Sequence, residues 1–145
     1  MRKFWVLFVC LFMVGIGLYA DDGRPIRFDQ LPEKAQIFVK TFFPQEKVTL
    51  VKRENDFFGK KYKVIFTNRS RIEFDKNGIW TNVDCRNSVV PSEIIPKAIK
   101  HHVQTHYPDQ KVVQIEKENR GYEVELSKGL SLEFDKNIRL IDIND

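Results

Sequence analysis

Apolar and polar positions recur along this chain with two periods, and the switch between them marks the elements. Leu31, Ala35, Phe38, Val39 and Phe42 return every three to four residues, which puts them on one face of a helix. Asp29 is the expected N-cap, Pro32 suits the first turn, and Glu33 favours the positive end of the helix dipole. Pro44 stops the helix, because a residue before proline avoids helical geometry. The period then falls to two. Tyr62, Val64 and Phe66 alternate with Lys61, Lys63 and Ile65, and Ile72 and Phe74 alternate with Arg71 and Glu73. That is the pattern of an antiparallel sheet with one face buried. Strands are expected at about 47–54, 60–67, 71–75 and 79–83, with a short connection at Asn68-Arg69-Ser70. The sharper turn is Asp75-Lys76-Asn77-Gly78, where Asn77-Gly78 suits positive φ.

The same plan occurs twice. Glu73-Phe74-Asp75-Lys76-Asn77 returns as Glu133-Phe134-Asp135-Lys136-Asn137, 60 positions on, and Tyr62 and Val64 match Tyr122 and Val124 at that offset. Leu31-Pro32 matches Ile95-Pro96, Phe43-Pro44 matches Tyr107-Pro108, and Glu54-Asn55 matches Glu118-Asn119 at an offset of 64. A four-residue length difference near 56–60 reconciles the offsets. We read this as an internal duplication. In the second unit Ser92 is the expected cap of a helix carrying Ile95, Ile99 and Val103, and Pro108 ends it. Strands follow at about 111–117, 121–127, 130–135 and 139–143, and Ile138 replaces the turn glycine, leaving Asn137 to take any left-handed position alone. The expected fold class is α+β: two tandem α-β-β-β-β repeats, 30–84 and 85–145, in one continuous domain. One helix cannot cover both faces of four strands, so both helices should pack on one face of the antiparallel sheet and leave the other solvated.

The N-terminus sets the expected compartment. Arg2-Lys3 precedes an uncharged apolar run from Phe4 to Tyr19, and Ala20 is followed by Asp21-Asp22. This reads as a signal peptide over 1–20, removed on export, with 21–29 as a flexible lead-in. The protein is then periplasmic or secreted and meets the membrane only through the signal before cleavage. Cys10 leaves with the signal, so Cys85 is the single remaining cysteine, expected to be buried and inert. Loss of Arg2 and Lys3 lowers the formal net charge from +4 to +2, and acids and bases interleave throughout. That leaves no footprint for nucleic acid.

Candidate chemistry is sparse. No nucleophile elbow, phosphate loop, HExxH or CxxC occurs. Asp75-x-Asn77-Gly78 looks like the start of a calcium loop, but Ile79 and Arg86 occupy later ligand slots. A hairpin turn explains it better. His102 and His106 stand four apart, a spacing that can put two imidazoles on one metal, yet they match Phe38 and Phe42 of the first unit. They are therefore expected to be semi-buried packing residues; no metal and no cofactor are expected. On the open face, phase places Trp80 and Leu140 outward with Ile65 if Thr81, Val83, Ile141 and Ile143 point inward. These three would be anchors in a charged field. Phe57 and Phe58, in the insertion of the first unit, are further candidate contacts.

The chain resembles the exported PepSY-like proteins, also described as β-lactamase-inhibitor-like. The resemblance rests on Leu31-Pro32 with Phe43-Pro44, on Phe74-Asp75-Lys76-Asn77-Gly78-Ile79-Trp80, on Val83-Asp84-Cys85, and on the second copy ending at Phe134-Asp135-Lys136-Asn137. It implies a tandem module with helices on one side of an antiparallel sheet, similar in plan to secreted inhibitors that hold a β-lactamase against their sheet. PepSY modules are also associated with restraining secreted peptidases. No inhibitory residue maps onto this chain, and fold alone transfers no activity. The functional expectation is an exported, non-catalytic protein that binds a protein or peptide of the cell envelope with its open face. The alternative is a periplasmic module sensing a small ligand or calcium.

Overall fold

The computed structural model describes residues 23–57 and 59–145. The expected signal segment and Phe58 lie outside the described residues. Among the described residues nine strands form one antiparallel sheet in sequence order: β1 (Arg24–Ile26), β2 (Val48–Asp56), β3 (Gly59–Phe66), β4 (Arg71–Phe74), β5 (Trp80–Asp84), β6 (Val112–Glu118), β7 (Gly121–Leu126), β8 (Ser131–Asp135) and β9 (Leu140–Asn144). Two helices, α1 (Glu33–Phe42) and α2 (Lys97–His106), pack on one face of it. The α+β class and the one-sided helices are as the patterning predicts.

Register explains why one face is core. Ile26, Val51, Val64, Ile72, Val83, Ile115, Val124, Leu132 and Ile143 stand side by side, one from each strand. Val64, Ile72, Val83, Ile115, Val124 and Leu132 are fully buried beneath Ala35 and Val39 of α1 and Ile99 and Val103 of α2. The pleat sends the next residue of each strand to the opposite face.

Several boundaries depart from expectation. Asp29 and Ser92 cap neither helix; they sit in single 3-10 turns, Phe28–Gln30 and Ser92–Ile94. Pro32 and Pro96 occupy the N-cap positions, and the Pro32 carbonyl accepts from the N–H groups of Ala35 and Gln36. Both helices end where expected, at Phe43 and Tyr107 before prolines. Part of the expected lead-in is a strand: Arg24–Ile26 pairs with β2. The length difference between the halves lies in one hairpin. β2 and β3 have nine and eight residues, against seven and six in β6 and β7.

The two sharp turns share one device. Asp75 Oδ1 accepts from the N–H groups of Asn77 (2.9 Å) and Ile79 (3.0 Å). Asp135 Oδ1 does the same for Asn137 and Arg139, both at 2.9 Å. The left-handed position falls on Gly78 (φ 81°) in one turn and on Ile138 (φ 58°) in the other, not on Asn137. A β-branched residue there is strained. Partial burial of Ile138 against the core holds it in place.

Candidate functional site: the open face of the sheet

The face away from the helices carries a polar row as continuous as the apolar one. Lys52, Lys63, Glu73, Asn82, Glu116, Glu123, Glu133 and Asp142 are neighbours from β2 to β9. Lysines stand at the start of the row and carboxylates fill the second half. The adjacent row runs Leu50, Ile65, Arg71, Asp84, Gln114, Glu125, Ser131 and Asn144.

In the first half the charges are matched. Lys63 Nζ lies 3.4 Å from Glu54 and 3.5 Å from Glu73, and Lys61 Nζ lies 3.6 Å from Asp56. At the junction, Asp84 is buried and accepts from Arg71 Nη2 at 2.9 Å, and Arg86 Nε lies 3.5 Å from its other oxygen. Arg86 Nη2 reaches on to Gln114 (3.2 Å) and Glu125 (3.4 Å), and Gln114 donates to Asn82 (3.2 Å). This network stitches β4 and β5 to β6 and β7.

The second half is unbalanced. Glu116 and Glu123 face each other across β6 and β7, and with Glu118 they bring three carboxylates within 4.8 Å of one another. Desolvation, then repulsion from Glu118 and Glu73, raises the Glu116 carboxyl above its ordinary range; Lys61 partly opposes this. Desolvation, then Glu118, Glu116 and Glu133, raises Glu123. Carboxylates crowded this way are relieved by protonation, by a cation or by a basic side chain.

The anchors expected from the sequence divide between the faces. Ile65 lies on the open face, half-buried beside Leu50 and Arg71. Trp80 and Leu140 do not. Bulges opposite Phe74 and Phe134 each insert a residue, so Trp80 pairs with Phe74 and Leu140 with Phe134 on the helix side. Thr81 Oγ1, in the first bulge, donates to the Glu73 carbonyl at 3.3 Å. Trp80 lies 6.4 Å from the Phe38 ring and under Lys117 Nζ, 4.0 Å from its centroid. Phe57 is fully exposed at the tip of the long hairpin.

His102 and His106 also lie on the helix side, their ring centroids 4.4 Å apart. His102 is half-buried against Phe134, as expected, whereas His106 is exposed. Cys85 is buried and free, and burial pushes its thiol up to about 11, so it stays protonated. The sequence reading missed Glu116, Glu118, Asn82, Asp84, Arg86 and Gln114 as open-face residues. Alternation of Glu116 and Glu118 with Ile115 and Lys117 was the available signal.

Comparison with known proteins gives three results. The model of the family described as "Putative beta-lactamase-inhibitor-like, PepSY-like" matches residues 60–142. No curated protein matches. Among solved structures, a protein of Bacteroides vulgatus described as a "putative periplasmic protein from DUF2874 family" is 51% identical, with a TM-score of 0.84 over 87% of this chain and 99% of that one. A "putative calcium-regulated periplasmic protein" of Bacteroides thetaiotaomicron is 50% identical, with the same TM-score and the same coverage of 87% and 99%. A third, a "putative periplasmic protein of unknown function" from Bacteroides vulgatus, is 34% identical, with a TM-score of 0.80 over 85% of this chain and 99% of that one.

Proposed function

Because this chain belongs to the PepSY-like family of periplasmic, inhibitor-like proteins, we propose that it is a non-catalytic binding module whose open sheet face holds a basic segment of a protein or peptide. One observation carries the reading. Glu116, Glu123, Glu133 and Asp142 form a carboxylate row in which, among the described residues, each acid of β6 to β9 stands across from another acid and not from a cation. An extended segment bearing Lys or Arg would meet this row, while the matched charges of the first half, where Lys63 already lies against Glu54 and Glu73, add no comparable pull. All three histidines lie on α2, across the sheet from this face, so no acid–base pair of that kind serves it. Ile65 offers apolar contact on β3 in the first half of the face, and Phe57 a second one at the hairpin tip.

The test is titration with a short Lys/Arg-rich peptide and with its Asp/Glu counterpart, at low and high salt. Glu123→Lys/Glu133→Lys serves as the control. The reading expects salt-sensitive binding of the basic peptide alone, abolished by the charge reversal. Equal binding of both peptides, or of neither, would sink it.

A second reading has its own support. Two oxygens on one calcium lie at most ~5 Å apart, since each Ca–O bond is ~2.3–2.6 Å. Glu116, Glu118 and Glu123 meet that limit, and the 50% identical neighbour is described as calcium-regulated. On this reading calcium discharges the row and so governs the face. Calcium should raise the melting temperature of the parent and not of Glu116→Gln/Glu123→Gln. No shift in the parent would retire it.

A further inference from the structure

We propose a second, separate site on the opposite face of the molecule: His102 and His106 form a two-imidazole chelate for a divalent transition ion of the zinc and copper class. Three observations converge on it. First, the rings are one turn apart on α2, with centroids 4.4 Å apart. Two metal–nitrogen bonds of ~2.0–2.1 Å at a tetrahedral angle put the nitrogens ~3.3 Å apart, which rings at this separation reach when the exposed His106 ring turns. Second, His102 is held in place. Its ring stands edge-on to Phe134 at 5.5 Å and 86°, and Tyr107 flanks both imidazoles at 6.3 and 6.4 Å. A ligand whose ring is fixed by packing loses little freedom on binding, while exposed His106 leaves the ion an approach from solvent. Third, the pair occupies the last two turns of α2, where the carbonyl ends of the helix dipole favour a cation.

The first half supplies an internal control. At the matching positions Phe38 and Phe42 hold their rings 4.9 Å apart, and Phe38 stands on Phe74 at 5.6 Å and 86°. The scaffold for two adjacent, tilted rings is thus present in both halves, and only the second carries nitrogen donors. Imidazole suits zinc, copper and nickel, whereas calcium prefers oxygen. The assignment therefore does not depend on either reading of the open face. Two protein ligands leave coordination positions for water or for a donor from a partner.

The experiment is calorimetric titration of the protein with zinc and with copper chloride in a non-chelating buffer. His106→Phe and Glu116→Gln/Glu123→Gln are titrated in parallel. The phenylalanine is the residue of the matching position, and His106 is exposed, so that variant keeps the fold; circular dichroism verifies it. We expect one saturable site that His106→Phe weakens about tenfold or more, at least the loss seen when a ligand's supporting shell is removed. The glutamine pair should leave it unchanged. Absence of binding, binding that survives His106→Phe, or binding that the glutamine pair removes would each overturn the assignment.

Discussion

The two helix–sheet contacts have nearly the same shape and different chemistry. In the first half Phe38 touches Phe42, Phe43, Phe74 and Trp80, an all-aromatic cluster. In the second half His102 and His106 replace Phe38 and Phe42, and Leu140 replaces Trp80. The edge-on contact to the sheet phenylalanine is kept within 0.1 Å and at the same 86°. Ring shape, not hydrophobicity, is what the fold asks of these positions. The first half uses that freedom for cohesion. The second gives up apolar contact and gains ring nitrogens.

The largest expected effect breaks this cohesion. Phe38→Ala should cost about 3 kcal/mol of unfolding free energy, and His102→Ala clearly less, since an imidazole forfeits less transfer energy. Chemical denaturation of both measures the difference, and equal losses would refute the asymmetry. Next come the turns. At Gly78 an added Cβ would lie 2.8 Å from Pro32 Cβ and 3.0 Å from the Ala35 backbone nitrogen. Gly78→Ile should therefore cost about 2 kcal/mol or more, although isoleucine occupies the matching position. Ile138→Gly should change stability by less than about 1 kcal/mol, because relief of strain offsets lost packing. At the junction, Asp84→Ala should cost about 1–2 kcal/mol; Arg71 and Arg86 remain solvated when their buried partner goes.

The smallest effect is in pH dependence, measured in metal-free buffer. Burial first, then His106 and His101, lowers the His102 pKa. A lowered histidine pKa means the folded state resists protonation, so this group's contribution is lost as pH falls below the unfolded value of ~6.5. Glu116 and Glu123 act oppositely: their raised pKa values make the folded state bind protons more readily, so their contribution grows as pH falls toward the ordinary carboxylate range. His102→Phe should remove the acid-side loss and Glu116→Gln/Glu123→Gln the acid-side gain. Unfolding midpoints between about pH 4 and pH 7 decide, and superimposable profiles would contradict both signs.

The sequence reveals much of the fold and little of the site. Period and proline placement locate both helices, because Phe43 and Tyr107 precede prolines and the apolar faces are unbroken. Strand β1 carries no alternation in Arg24-Pro25-Ile26; backbone pairing alone makes it a strand. The misplacement of Trp80 and Leu140 comes from the bulges, which reverse the inward phase within one strand. A bulge residue such as Thr81 or Ile141 has no distinctive side chain. The carboxylate row is hidden for another reason. Glu116, Glu123 and Glu133 are adjacent only because of register, and register depends on the whole sheet.

The strand order carries a last consequence, for how the molecule comes to exist. Every strand is hydrogen-bonded to its neighbour in sequence, and only the β1–β2 and β5–β6 contacts reach across a helix. The chain never has to close a loop spanning most of its length before a contact offsets the lost entropy. Folding can proceed hairpin by hairpin, and should be faster than that of a sandwich of equal length, where strands distant in sequence must find each other first.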